Sequence, residues 1–546
     1  MKLIIKEYLT MLKESKELDI LLPDLLLQMG FDVRVSPSIG VRQYGVDVEA
    51  VKGENGEIYL FTIKRGDIDR KNWDGTPQSV RQSLNEIEDV YIPNMLAKEY
   101  KNKKKNIIVV TGGEMNQKIT PNWEGYKKCN KDENISFDFW GGNQLSLKIE
   151  RYLLNEHLLS PKLSSSFRKI LALLEYNSYE FTELNKILEE MFIDDMQVGE
   201  RSRDDRIEKK FRTVNLMLNI IYYWAKSNNN IKPAILCAEK ITIASWGMLK
   251  KYSLFKNNVL IKEFKKIYDT LEEIYGDYFE KIKPYTEIEN GLCINVADFS
   301  INSINLFEIL GFLGIYGFIK EKLLEVQKTI IELIRKHKCL LNPCFDNQII
   351  DITLAVLVIS KDITTNRKFL SSWITSMIEC VCFAYKEGMY FPISSDDYDD
   401  LFECNINKKL TKEELFDVST LIPILLQLCY FNNLDDIYDE VQTMLKNMDF
   451  GKCDFQIWYP NKDTKEKMYK NSNAVLETGC TDSEVDIQIS AKEMKNRIQL
   501  IQKNSVLSDE ISAIKYGFSV LPLIISRHYR MPVFPMYWQD LLLNKK

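Results

Sequence analysis

The residues best placed for chemistry lie in YGVDVEAVKGENGEIYLFTIKRG, which runs from Tyr44 to Gly66 and carries Asp47 and Lys64 on two predicted β-strands. Side chains alternate along a strand, so Leu60, Thr62 and Lys64 share one face and Tyr59, Phe61 and Ile63 the other. The turn KGENGE lets the two strands run antiparallel, which brings Asp47 and Lys64 together at the end of a sheet. Phosphodiester hydrolysis needs a hard cation held by oxygen ligands, which polarises the phosphate and acidifies an attacking water. It also needs a positive group beside the charge that develops during attack. Asp47 suits the first task and Lys64 the second, with Thr62 lining the space between. A lone Asp and a lone Lys at strand ends also have a plain reading, as solvated polar residues.

The elements that would hold these residues occupy the first ~158 positions. The pattern predicts a helix over 5–30, strands at 31–36, 44–52 and 57–64, and a helix over 76–100. A strand at 106–111, a further helix, a short strand at 135–140 and a closing helix at 142–155 follow. NIIVVT, at 106–111, is a continuous apolar run of the kind that suits a strand covered on both faces. Helices interleaved with strands predict an α/β domain at 1–158, a mixed sheet flanked by helices. After LLSPKLSSS the strand signals fade, and apolar residues recur at three- and four-residue spacing. The expectation for 167–546 is a large, mainly α-helical sensor or oligomerisation region, of one or two subdomains, with a loop-rich stretch near 471–509.

On these residues the N-terminal part resembles the PD-(D/E)xK restriction-endonuclease-like nucleases, and among them the Mrr-like branch. ELDILLPDLLLQMGFDV matches that branch's acid-bearing helix and first strand, GVD supplies Asp47, and FTIKRG supplies Lys64 and Arg65. The resemblance covers about residues 10–155. It implies a DNA endonuclease using Mg²⁺ or Mn²⁺, with Asp47, Lys64, Asp19 and Thr62 as the catalytic set. Asp47, Asp19 and the Ile63 carbonyl are then the metal ligands. Thr62 departs from the family, which places Glu, Asp or Gln there, and a hydroxyl is a poor Mg²⁺ ligand beside a carboxylate. Two readings follow: a working site with one charge fewer, or a nuclease fold that has lost catalysis and acts as a DNA-binding or scaffold component. Arg65, Arg70, Lys71, Gln78 and Gln82 follow directly and are candidate DNA contacts that position the backbone without reading sequence. A small nuclease joined to a long helical region resembles bacterial anti-phage defence effectors, which implies regulation, a homo-oligomer or a defence-system partner.

Composition narrows the classes. The 546 residues are 45% hydrophobic and 27% charged, as in a globular chain of two to four domains. The net charge is −6, and residues 1–158 hold 23 Lys and Arg against 24 Asp and Glu. Any nucleic-acid contact therefore depends on local patches rather than a global field. Three histidines and 11 cysteines without a CxxC argue against a zinc site, and His337 near Cys339 reads as a surface histidine beside a buried thiol. No uninterrupted apolar run of about 18 residues appears, and the N-terminus lacks a signal-peptide pattern. The expectation is a cytoplasmic protein with no membrane partner. KNKKK at 101–105 reads as solubilising lysines, and the acids of SSDDYDDLFE as helix caps. SRHYRMPVFPMYW, with Arg527, His528 and Arg530, reads as a docked tail before a nucleotide surface.

Overall fold

The computed structural model describes residues 2–12, 18–35, 43–52, 56–130, 132–153, 161–176, 181–192, 200–295, 298–320, 322–389, 392–394, 397–407, 419–450, 454–470, 479–482, 485–503, 505 and 510–535. Its contacts divide the chain into two compact units, Met1–Ala234 and Ile235–Lys546.

The first unit is built on a five-stranded mixed sheet. Helices α1 (Lys2–Met11) and α2 (Asp19–Gln28) precede β1 (Phe31–Val35), β2 (Val48–Lys52) and β3 (Glu57–Lys64). The strands stand in the order β1-β2-β3, each antiparallel to the last, and β4 (Lys105–Thr111) and β5 (Ile135–Trp140) extend the sheet parallel to β3. The single helix predicted over 5–30 is two helices, with 13–17 outside the described residues. The helix predicted over 76–100 is α4 (Val80–Glu86), preceded by α3 (Arg70–Asp74) and continued as a π-helix at Ile87–Met95. Helix α5 (Thr120–Cys129) joins β4 to β5, and α6 (Gly142–Tyr152) closes the sheet region.

Each face of the sheet has its own cover. Ile58, Leu60, Ile107 and Val109 pack with Trp73, Val80, Leu84, Ile87, Tyr91, Trp123 and Tyr126 from the crossover helices. Trp73 is buried edge-on to Trp123, so it packs α3, rather than a loop, onto the sheet. By strand alternation Phe61, Ile63, Ile108 and Val110 point to the opposite face. There Phe61 meets Phe31 and Trp140, and α1, α2 and α6 pack together. The cover is so close that a Cβ on Gly112 would lie 2.0 Å from the Leu9 carbonyl of α1. Three more helices, α7 (Pro161–Leu173), α8 (Thr182–Met191) and α9 (Glu200–Ser227), belong to this unit.

The second unit is mainly helical, with long α10 (Lys232–Lys251), α11 (Asn258–Thr286), α12 (Phe299–Ile319) and α15 (Ile363–Lys386) among its elements. Between them come α13 (Leu323–Lys336) and α14 (Ile349–Ile359). The aromatic segment Ile457–Tyr459 forms a two-stranded ribbon with Cys480–Asp482. Helix α12 has the length and apolarity of a membrane span, yet 72% of that stretch is buried inside the unit. His337 is fully buried, contrary to the surface position expected, because its ring joins Leu333 O at 2.9 Å and accepts from the Leu292 amide at 3.2 Å. Asp397 caps the helix at Tyr398–Asn407 through the Asp399 amide, while Asp396 lies outside the described residues.

In the segment with Arg527, His528 and Arg530, the first two side chains are buried and Arg530 is half-buried. The Arg527 guanidinium donates to Glu239 from Nε at 2.9 Å and again from a terminal nitrogen, and Tyr275 also donates to that carboxylate. Burial alone would raise Glu239, but Arg527 and His528 hold it below the usual carboxylate range. Arg530 donates to Asp351 at 3.0 Å and to Asn347, with its own backbone in the left-handed region at φ 52°.

Candidate metal centre

Asp47 lies one residue before β2, in a turn made by Tyr44 at φ 48° and Gly45 at φ 81°. A Cβ on Gly45 would fall 2.2 Å from the Ser83 carbonyl, so only glycine lets the turn press against α4 and deliver Asp47 to the sheet. The Asp47 amide donates to the Phe61 carbonyl at 2.8 Å, and its Oδ2 accepts from the Ile63 amide at 2.6 Å. Val48 pairs with Phe61, so one further step of the register sets Asp47 opposite Thr62, on the same face. Lys64 follows two residues on, half-buried, at the last pair of β3 with β4. Asp19 enters from the first turn of α2.

The electrostatics tie these groups together. Burial raises the Asp47 carboxyl above its ordinary value, the Ile63 amide and the Lys64 charge oppose that rise, and Asp19 adds to it. Lys64 and Asp19 therefore each lie within electrostatic reach of Asp47. Thr62 is fully buried, and its hydroxyl favours the charged form of Asp47 slightly without reaching good hydrogen-bond geometry with any protein group. Asp19 Oδ1 is likewise buried with no partner.

Two buried oxygens without donors beside a raised carboxylate are the mark of a place for a cation or ordered water. The Phe61 carbonyl and the Ile63 amide both point toward β2, so the Ile63 carbonyl points the same way, as a metal ligand requires. The donor set is then two carboxylates, one main-chain carbonyl and one hydroxyl, all hard oxygens suited to Mg²⁺ or Mn²⁺. Among the described residues no group of three or more His, Cys, Asp or Glu side chains gathers for a metal, so the acid count stays at two.

The proposed nucleic-acid contacts divide. Arg65, Arg70, Lys71 and Gln78 are exposed beyond β3. Gln82 and Arg81 instead reach back to Asp74, at 3.3 and 3.0 Å, and brace α4 against α3. Lys105 is buried, against the expectation for KNKKK, because its ammonium donates to the Lys101 and Lys103 carbonyls at 2.7 and 2.9 Å. One acid escaped the sequence reading. Glu49 lies two residues after Asp47, hence on the same strand face, and is buried while accepting from Tyr91 of the π-helix at 2.8 Å. The alternation in DVE was the available signal. No family model, curated protein or solved structure matches this chain.

Proposed function

We propose that the chain is a divalent-metal-dependent endonuclease that hydrolyses phosphodiester bonds in DNA. One observation supports the reading: buried Asp47 feels the charges of Lys64 and Asp19 and the Thr62 hydroxyl, and the buried Thr62 and Asp19 oxygens lack hydrogen-bond partners. Asp47, Asp19 and the Ile63 carbonyl would hold Mg²⁺ or Mn²⁺, which supplies polarisation of the phosphate and acidification of a bound water. The Ile63 amide fixes the Asp47 carboxylate in place. The Lys64 ammonium would orient the attacking water or offset charge as the phosphorus becomes five-coordinate. Exposed Arg65, Arg70 and Lys71 offer the DNA backbone its first contacts, and the helical region regulates cleavage as in the defence effectors that the chain resembles.

The test is nicking of supercoiled plasmid in Mg²⁺ or Mn²⁺, by the wild type and by Asp47→Ala and Lys64→Ala. Cleavage that both substitutions abolish supports the reading, and intact plasmid under every condition removes it. Thr62 favours a second reading, because its hydroxyl leaves the site one carboxylate short. In that case the fold binds DNA or a partner without cutting, and DNA binding without cleavage is its signature.

A further inference from the structure

We infer that Lys52, Lys148 and Arg151 form a second anionic contact, on the face of the sheet covered by α6, which grips the phosphate backbone of nucleic acid away from the metal centre. The inference rests on the nuclease reading for the choice of polyanion, and on three local observations for the site.

The first concerns how these cations are held. Lys52 Nζ stands 4.5 Å from the Phe31 ring centroid, Lys148 Nζ 4.1 Å from that of Trp140, and the Arg151 guanidinium 5.4 Å from that of Tyr152. None of the three has a carboxylate within salt-bridge distance among the described residues. Aromatic faces order a cation without neutralising it, so the charge stays available to an anion. The second is crowding. Lys148 is held below the ordinary lysine value by burial, and the nearby charges of Lys52 and Arg151 push the same way. Among the described residues Asp138 is the acid that opposes them, and its oxygens are engaged by the Phe139 amide at 2.8 Å and the Trp140 indole at 3.0 Å. Like charges held together in this way are relieved by a bound anion.

The third is position. Helix α6 starts against the loop after β4, where the Gly142 amide donates to Gly113 O at 2.7 Å, at the same end of the sheet as Lys64. At 1.5 Å per residue, Lys148 lies about 9 Å and Arg151 about 14 Å further along the helix axis. Gln144, Lys148 and Arg151 recur at four- and three-residue spacing and so form one stripe, with Lys52 beside it. A strand leaving the catalytic end along α6 meets these groups in succession.

Full-length protein, as wild type and with Lys52→Gln, Lys148→Gln and Arg151→Gln combined, is titrated into a labelled 30-base-pair duplex in Ca²⁺ and followed by fluorescence anisotropy at several salt concentrations. Circular dichroism confirms that the variant folds, and Lys148→Arg serves as the conservative control. The expected result is at least tenfold weaker binding at low salt. The plot of log affinity against log salt becomes shallower by about 2–3, as the loss of three phosphate contacts requires. Lys148→Arg keeps wild-type binding. Unchanged affinity and slope in the triple variant overturn the inference while leaving the nuclease reading intact. Weakened binding by the triple variant, together with a wild type that cuts no plasmid, supports the inference and removes catalysis. A wild type that binds poly-glutamate as tightly as duplex overturns the assignment to nucleic acid.

Discussion

Asp47 fastens two strands and also offers a carboxylate, and two substitutions separate the roles. Asp47→Asn keeps an acceptor for the Ile63 amide and loses the charge, so cleavage falls at least ~100-fold while stability changes by less than about 1 kcal/mol. Asp47→Ala loses both, and urea denaturation reads a further loss of about 1–3 kcal/mol from the unpaired buried amide. The raised value of this carboxyl gives a sign to its pH dependence. A raised folded value means that its contribution to stability is present below the unfolded value near 3.8 and is lost as pH rises through the folded one. A cation relieves that loss, so Mg²⁺ raises the melting temperature at neutral pH, less so as pH falls toward the carboxylate range, and not at all in Asp47→Asn. Thr62→Asp adds a third carboxylate to a fully buried position. It lowers the melting temperature in EDTA and steepens the Mg²⁺ response, measured by differential scanning fluorimetry.

The elements show which parts of a sequence speak locally. Alternation in EIYLFTIK and the apolar run NIIVV identified β3 and β4, because period-two patterning survives whatever packs on top. The placing of Asp47 and Lys64 on one strand face was readable for the same reason, since shared faces follow from spacing alone. Three features were not. The π-helix at Ile87–Met95 has a helical composition, and its looser winding comes with Tyr91 reaching Glu49. Lys105 looks like any exposed lysine, and only the curl of the preceding turn supplies the carbonyls that let it be buried. The break between α1 and α2 carries no glycine or proline to announce it. Gly45 makes the element scale testable. Gly45→Ala must adopt φ 81° and also displace the Ser83 carbonyl. It should cost more than about 2 kcal/mol in urea denaturation and reduce cleavage with it, whereas Gly125→Ala, on open space in α5, should be neutral or better.

At the scale of the molecule, the helical unit is organised around charges that it buries. Glu239→Ala would leave the Arg527 guanidinium sealed without its partner, and a loss of about 3–5 kcal/mol in that unit is expected from thermal or urea unfolding. Asp351 behaves differently, since burial pushes it up to about 6 despite Arg530 and Arg527. Its contribution to stability is complete below pH of about 4 and fades as pH climbs past about 6, so Asp351→Asn should flatten the stability profile across that window. None of this was legible in the sequence, where SRHYR and the acids it meets lie far apart. That distance has a consequence for how the protein is made. Glu239 and Arg527 are 288 positions apart, so the earlier helices leave the ribosome with an acid in their midst and nothing to neutralise it. The unit must wait, open, for its late-synthesised helix, and any interruption of translation before Arg527 releases a polypeptide that chaperones and proteases will recognise as unfinished.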